Sequence, residues 1–472
     1  MSREGKLAQN TLILSIGTFL PKFAALVTLP ILTGYLTKEE MGTYDLVTVL
    51  VSLILPSATL QIQTAAFRFL IDVRGDEVQC RKIVTNIMVF IIPVSIAALA
   101  VLYMFLPGDR TLVKILICLY FFADIIVNAE RQIARGLNHN MEYSISAIVS
   151  AVGKMLFAMI FVWQLRLGLT GAVTALMSAS ILSAIVLSAA IRINELIDLS
   201  LVDKAVMREL IQYSWPMVPN SMSMWVMRVS DRFVVTLFMG VSANAVYSVA
   251  NKIPSLLTLA QNTFTMAWQE NASIVSKDDD AEAYYTQMFK TMFNIMAGFL
   301  GLLICATPLL FAILIRGDYG EAYFQMPILF LGMFFFSMCT FLGGIYVAYK
   351  DTKSVGITTV CAAISNLVID LATIKWIGLY AASGSTLISY LFLMLFRMFD
   401  VRKIVRIKYD YRHMVFVLAV LIIECTLCFQ QKMILNIVNT VFGAVMFWHL
   451  NKEFIRAVSR KGSAFLKKQL RR

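Results

Sequence analysis

Residues 168–191 read GLTGAVTALMSASILSAIVLSAAI and contain no Asp, Glu, Lys or Arg. Coiled at 1.5 Å per residue, a run of this length reaches about 36 Å, and the hydrocarbon core of a bilayer is about 30 Å thick. A charge-free stretch of that length predicts a membrane-spanning helix.

Runs of the same character recur in both directions. Apolar stretches separated by polar breaks predict helices near 8–35, 43–67, 83–106, 112–134, 143–165, 168–191, 213–240, 244–268, 287–315, 323–348, 354–374, 376–398, 412–430 and 433–450. The chain has 472 residues, 59% of them hydrophobic and 15% charged, with a mean hydropathy of +0.75. At about 34 residues per span and loop, about fourteen spans fill it. The expected fold is therefore an all-α polytopic membrane protein. A water-soluble globular protein is excluded, and there is no room for a nucleotide-binding cassette or a receptor ectodomain.

A net charge of +12 would fit a nucleic-acid partner, but its placement argues otherwise. The N-terminus, the even-numbered loops and the tail hold 28 of the 41 Lys and Arg, counting Arg68, Arg397 and Arg412 at helix ends, and the odd-numbered loops hold 7. Such a bias predicts both termini in the cytoplasm and no nucleic-acid role. The run from Leu7 to Leu36 has no small-residue cleavage site and reads as a retained helix. Seven cysteines, mostly in apolar stretches, give no disulfide framework; the Cys425-x-x-Cys428 pair reads as packing.

Residues 192–212 mix charged and apolar positions and predict a short surface helix capped by Ser200, the seam between two halves. The acidic run Asp278–Asp280 lacks the spacing of a calcium loop and reads as a solvated helix start. Pro21, Leu36 and Tyr44 in the first half recur as Pro219, Met239 and Tyr247 in the second, which suggests parallel repeats. The expected division is 1–197 (six spans), 198–400 (six spans), 401–450 (two accessory helices) and 451–472, a basic tail suited to anionic lipid.

The chemistry lies inside the spans. Asn244, Ser248, Asn251, Ser255, Thr258, Asn262, Thr265 and Gln269 recur at steps of three or four and predict a polar stripe along one face of helix 8. Such a stripe cannot face lipid, so it either lines a water-filled path or joins helices. Helix 4 carries Asp124, Asn128, Arg131 and Arg135, and helix 1 carries Ser15, Thr18 and Lys22. Lys22, Lys154, Arg228, Arg232 and Lys252 all fall deep in their helices. Five cations facing lipid would cost roughly 12 to 18 kcal/mol, so a cationic cavity enclosed by the helices is expected. With Asp124 and Asp231 as the core acids, its net charge is positive. The two Arg residues favour a phosphate-bearing anion.

The run Asn10-Thr11, the stretch Leu36 to Tyr44 (LTKEEMGTY), Tyr213 to Pro219 (YSWPMVP), Asp231-Arg232-Phe233, Tyr247 to Ala250 (YSVA) and Val347 to Lys350 (VAYK) resemble bacterial polysaccharide exporters. These are the O-antigen and lipid-linked oligosaccharide flippases of the multidrug, oligosaccharidyl-lipid and polysaccharide export superfamily. The resemblance implies two six-helix lobes around a central cavity, two C-terminal helices, and alternating access that moves an undecaprenyl-pyrophosphate-linked oligosaccharide across the bacterial cytoplasmic membrane. On that basis Arg228, Arg232, Lys22, Lys252 and Lys154 would hold the substrate. Asn244, Ser248, Asn251, Ser255, Thr258 and Asn262 would line the cavity. No cofactor is implied. A proton or sodium gradient or the membrane potential would drive transport, with Asp124 and Asp231 as coupling acids. A polysaccharide polymerase and glycosyltransferases would be partners. A lipid II flippase and a multidrug or cation exporter of the same superfamily are alternatives, as is a membrane glycosyltransferase or polymerase.

Overall fold

The computed structural model describes residues 20–106, 110–276, 278–349 and 351–469, and every regular element within them is helical. Ser15 and Thr18, and the side chains of Arg228, Asn262 and Gln269, lie outside the described residues. Among the described residues, 11 helices are long and apolar enough to cross a membrane. Two expected spans are not among them, the helix at 217–239 and the segment 244–268, which is broken, and the span expected at 8–35 is described only from Leu20, as the helix Leu20–Tyr35 (α1). Packing divides the chain into two compact units, Met1–Ala245 with Leu314–Gly317, and Val246–Ile313 with Asp318–Arg472.

In the first unit, α2 (Lys38–Ala58) begins with a capping box. The Thr37 hydroxyl accepts the Glu40 N–H at 3.2 Å, and the Glu40 carboxylate accepts the Thr37 N–H at 3.1 Å, so two of the orphan donors at the helix start are satisfied. The other Glu40 oxygen accepts the Leu169 N–H at 3.1 Å, which ties α2 to the start of α7 (Gly168–Ile191). The helix expected at 43–67 is two helices, because Leu60 and Gln61 take left-handed backbone angles, φ 47° and 58°, between α2 and α3 (Ile62–Asp72). Gln61 is held there by donating to the Ser221 hydroxyl at 2.9 Å.

Next come α4 (Glu77–Phe105), α5 (Thr111–Gly136) and α6 (Asn140–Ala158), the last continued by a π-turn to Gln164. Beyond α7 lie a single turn, α8 (Ile193–Leu196), then α9 (Lys204–Ser214) and α10 (Met217–Met239). The surface helix exists, but Ser200 is not its cap. Asp203 accepts the Ala205 N–H at 2.8 Å, while Ser200 sits in a tight turn whose cap is Asp198. This connector is held against the start of α4: Asp198 pairs with Arg81 at 3.1 Å, Asp203 pairs with Lys82 at 2.7 Å, and Asn86 bonds the backbone at Leu201 and Asp203. The Ser200 hydroxyl and amide hold the Asp198 carboxyl below its ordinary range, and Lys82 does the same for Asp203. Depressed acids stabilise the fold above their unfolded values. The grip is therefore present at neutral pH and is lost as the pH falls through the depressed values.

Gly42 lies against the first turn of α11 (Val241–Lys252), where a Cβ would meet the Val241 carbonyl and stand 2.7 Å from its Cγ1. Overpacking of this kind costs about 1 to 3 kcal/mol. Gly42→Ala is expected to lower thermal stability in detergent, and an unchanged melting temperature would show that the two helices separate freely.

In the second unit the rest of α11 leads to α12 (Leu256–Val275), with Ile253, Pro254 and Ser255 in a turn between them. The continuous helix expected over 244–268 is therefore corrected. Pro254 has no N–H to give and its ring crowds the preceding turn. The remaining helices are α13 (Ala281–Leu314), α14 (Gly320–Ala348), α15 (Thr352–Ile377), α16 (Leu379–Asp400), α17 (Tyr411–Phe429) and α18 (Met433–Gln469). The last expected span and the basic tail as far as Gln469 thus form one helix. Arg397, counted from sequence as a helix-end charge, is buried; it donates to the Cys339 and Val355 carbonyls and to the Thr358 and Thr359 hydroxyls at 2.8 to 3.3 Å. All seven cysteines are free.

Candidate functional site

Two groups of charged side chains lie inside the first unit. The first joins α2, α10 and α11. Asp45, 2% exposed, accepts from Arg232 Nη1 through both oxygens, at 2.8 and 2.9 Å. Asn244, fully buried, donates to the Gly42 carbonyl at 3.4 Å and to Asp45 at 3.5 Å. The LTKEEMGTY stretch and the residue after it thus supply a cap at Thr37, a tie at Glu40, a close approach at Gly42 and a counter-charge at Asp45. Only Nη1 of Arg232 is bound to Asp45, and the side chain keeps 19% of its surface open. Its other nitrogens bond no other described side chain, so an edge of the guanidinium is available to an anion.

The second group joins α5, α6 and α7. Asp124 accepts from Asn128 Nδ2 at 3.1 Å and lies within electrostatic reach of Lys154 and Arg131. Arg131 itself is committed, donating to the Ser146 hydroxyl and carbonyl at 3.1 Å and to the Ser183 hydroxyl at 3.2 Å. Arg135 lies over the Phe67 ring, 4.5 Å from its centre. Arg131 and Arg135 of the helix 4 stripe thus brace α5 against its neighbours, while Asp124 and Lys154 interact at longer range.

The other expected site residues divide as follows. Lys22 is exposed on α1, Lys252 is half-buried at the end of α11, and Asp231 is buried. The Arg228–Asp231 pairing and Asn262 rest on side chains outside the described residues. The stripe expected along helix 8 is split by the Pro254 turn. Asn244 and Ser248 are buried in protein. Asn251 donates to the Tyr247 carbonyl at 2.9 Å, Ser255 to the Lys252 carbonyl at 2.7 Å, and Thr258 to the Ser255 carbonyl at 2.5 Å. Ser255 is exposed and Asn251 and Thr258 are half-buried. The polar groups around the turn thus bond to backbone carbonyls of their own segment.

The reading with two core acids is also corrected. Asp45, Glu130, Asp231, Asp370 and Glu424 are all buried, so deep cations and deep acids are closer to balance than residues 124 and 231 alone suggest. Asp45 had one visible signal, a lone acid inside an apolar run, where an ionisable residue is costly without a partner.

Solved structures share this fold. The lipid II flippase MurJ, in an inward closed conformation, superposes with a TM-score of 0.71 at 13% identity, covering 95% of this chain and 99% of that one. A multidrug resistance MATE family transporter of the MOP superfamily, inward-facing, gives 0.69 at 12% identity, covering 84% and 98%. A MOP superfamily transporter from Pyrococcus furiosus, described by the reverse polarity of its binding pocket, gives 0.58 at 11% identity, covering 84% and 95%. No curated protein sequence matches the chain. The fold is that of MOP superfamily transporters, and the chain is a multi-pass membrane protein. The model of one sequence family, described as polysaccharide biosynthesis protein, matches residues 7–269, more than half of the chain, and the protein belongs to that family.

Proposed function

We propose that the protein is a flippase that moves an undecaprenyl-pyrophosphate-linked oligosaccharide across the bacterial cytoplasmic membrane by alternating access, with both termini in the cytoplasm. The observation that carries this reading is Arg232, a largely buried guanidinium on α10, fixed by Asp45 through one nitrogen and with part of its surface open. Arg228 lies one turn away on α10 and would present a second fork to the same anion. Lys22, Lys154 and Lys252 add positive potential. Membership of a polysaccharide biosynthesis family on a transporter fold supports a glycan-bearing cargo over a bare drug. No enzymatic step is assigned. An ion gradient or the membrane potential supplies the driving force, and Asp124, beside Lys154, is the better placed of the two proposed coupling acids.

A second reading, export of an organic cation, is favoured by the buried acids Asp45 and Asp231 and the half-buried Asp124, which would attract positive charge. Cells separate the two. Loss of the gene is expected to deplete surface polysaccharide and to build up lipid-linked oligosaccharide on the inner leaflet. A cell that keeps its surface glycan but becomes sensitive to cationic dyes would support the exporter instead.

A further inference from the structure

The second unit contains a carboxyl group that none of the above uses. Glu424, on α17, is 0% exposed, and neither of its carboxyl oxygens has a hydrogen-bond partner among the described residues. Two glycines make room for it. A Cβ at Gly301 of α13 would lie 2.9 Å from Oε2, and one at Gly443 of α18 would lie 3.3 Å from Oε1. The carboxyl is thus seated against the backbones of two neighbouring helices.

The hydrogen-bond donors nearby are turned to other acceptors, and among the described residues none reaches the carboxyl oxygens. The Cys305 thiol of α13 donates to the Asn439 carbonyl at 2.9 Å, the Tyr323 hydroxyl of α14 to the Cys428 carbonyl at 3.1 Å, and the Cys425 thiol to the Pro327 carbonyl at 3.7 Å. Asn439 of α18 donates one N–H of its amide to the Glu424 carbonyl at 3.2 Å, and its Oδ1 is buried without a partner among the described residues. Among the described residues no basic group acts on the carboxyl. An ionised carboxylate without donor or counter-charge would cost several kcal/mol in such a place. A proton on one oxygen converts that oxygen into a donor, and Asn439 Oδ1 is the acceptor that lacks one.

We propose that Glu424 is a proton-binding site that fastens α17 and α18 to α13. In the packed state the carboxyl is a carboxylic acid whose O–H is offered to Asn439. When the proton leaves, the O–H bond breaks, its electron pair stays on the carboxylate, and water takes up the proton. Water reaches the oxygens only when α18 moves off at Gly443, so proton release and loosening of the helix pair occur together. This assignment stands apart from the cargo of the transporter.

The test uses the full-length protein in lipid nanodiscs. Infrared spectra should contain the C=O stretch of a buried carboxylic acid at neutral pH, lost in Glu424→Gln, and a hydrophobic carbodiimide should label Glu424 in the wild type with equal yield in sodium and potassium buffers. Glu424→Gln keeps a neutral donor in the same shape, so its melting temperature should match that of the wild type at neutral pH and, unlike the wild type's, should not fall at alkaline pH. Two results would overturn the proposal. One is an acid band that survives Glu424→Gln unchanged while the wild type resists the carbodiimide. The other is protection by sodium with a matching rise in melting temperature, which would make the site one for a metal cation.

Discussion

Asp45→Asn is expected to lower the stability of the purified protein by about 3 kcal/mol, because removing one partner of a buried ion pair leaves the other charge uncompensated. Arg232 would then face the protein interior with a neutral amide in place of a carboxylate bound by two contacts of 2.8 and 2.9 Å. Asn244 would also lose its charged acceptor. Arg232→Gln alone should be nearly as damaging, since it strands Asp45, which is the more deeply buried of the two. The double variant Asp45→Asn, Arg232→Gln removes both charges and should recover much of the loss. Thermal denaturation of the four proteins closes a double-mutant cycle. Coupling near zero would show that the pair contributes nothing and that Arg232 is held by other means.

The larger functional effect is expected on α10. A charge-assisted hydrogen bond contributes about 1.5 to 3 kcal/mol, and about 1.4 kcal/mol is a factor of ten. Removing the two guanidinium forks with Arg228→Gln, Arg232→Gln should therefore slow transport by at least about a hundredfold. Arg228→Lys retains the charge but offers a point donor where the phosphate needs a planar fork, and it should lie between the wild type and Arg228→Gln. Lys22→Arg, at an exposed position on α1, should be tolerated. Because Arg232 also holds Asp45, the comparison is made in the Asp45→Asn background as well. A transport defect that follows stability across the whole set would assign both arginines to folding alone.

Most of the fold was legible because membrane helices need long apolar runs and little else. The stretch 168–191 begins and ends where α7 does. The two breaks were less legible, for different reasons. At Leu60 and Gln61 no glycine or proline marks the left-handed turn, which depends on a bond from Gln61 to Ser221 on a distant helix. At Pro254 the marker was visible, but polar residues at steps of three or four continue across it and imitate one unbroken face. The cations were visible as charges within apolar runs, and the acids that partner them were harder to see. Asp45 reads as the edge of a span until Arg232 is seen against it. Arg397 looks like a helix-end charge until four hydrogen-bonding groups on α14 and α15 close around it. Pairing across helices depends on tertiary contacts that no local pattern encodes.

The most direct test of the central claim is a flipping assay with purified protein in proteoliposomes. Undecaprenyl-pyrophosphate-linked oligosaccharide is placed in the bilayer, and its appearance on the opposite leaflet is followed with a membrane-impermeant sugar-cleaving enzyme, beside vesicles carrying the Arg228→Gln, Arg232→Gln variant at matched incorporation. The account predicts flipping well above protein-free vesicles, competed by other pyrophosphate lipids and not by organic cations, and nearly abolished in the variant. Wild-type vesicles that flip no faster than empty ones, or a double variant that flips as fast as the wild type, would contradict it.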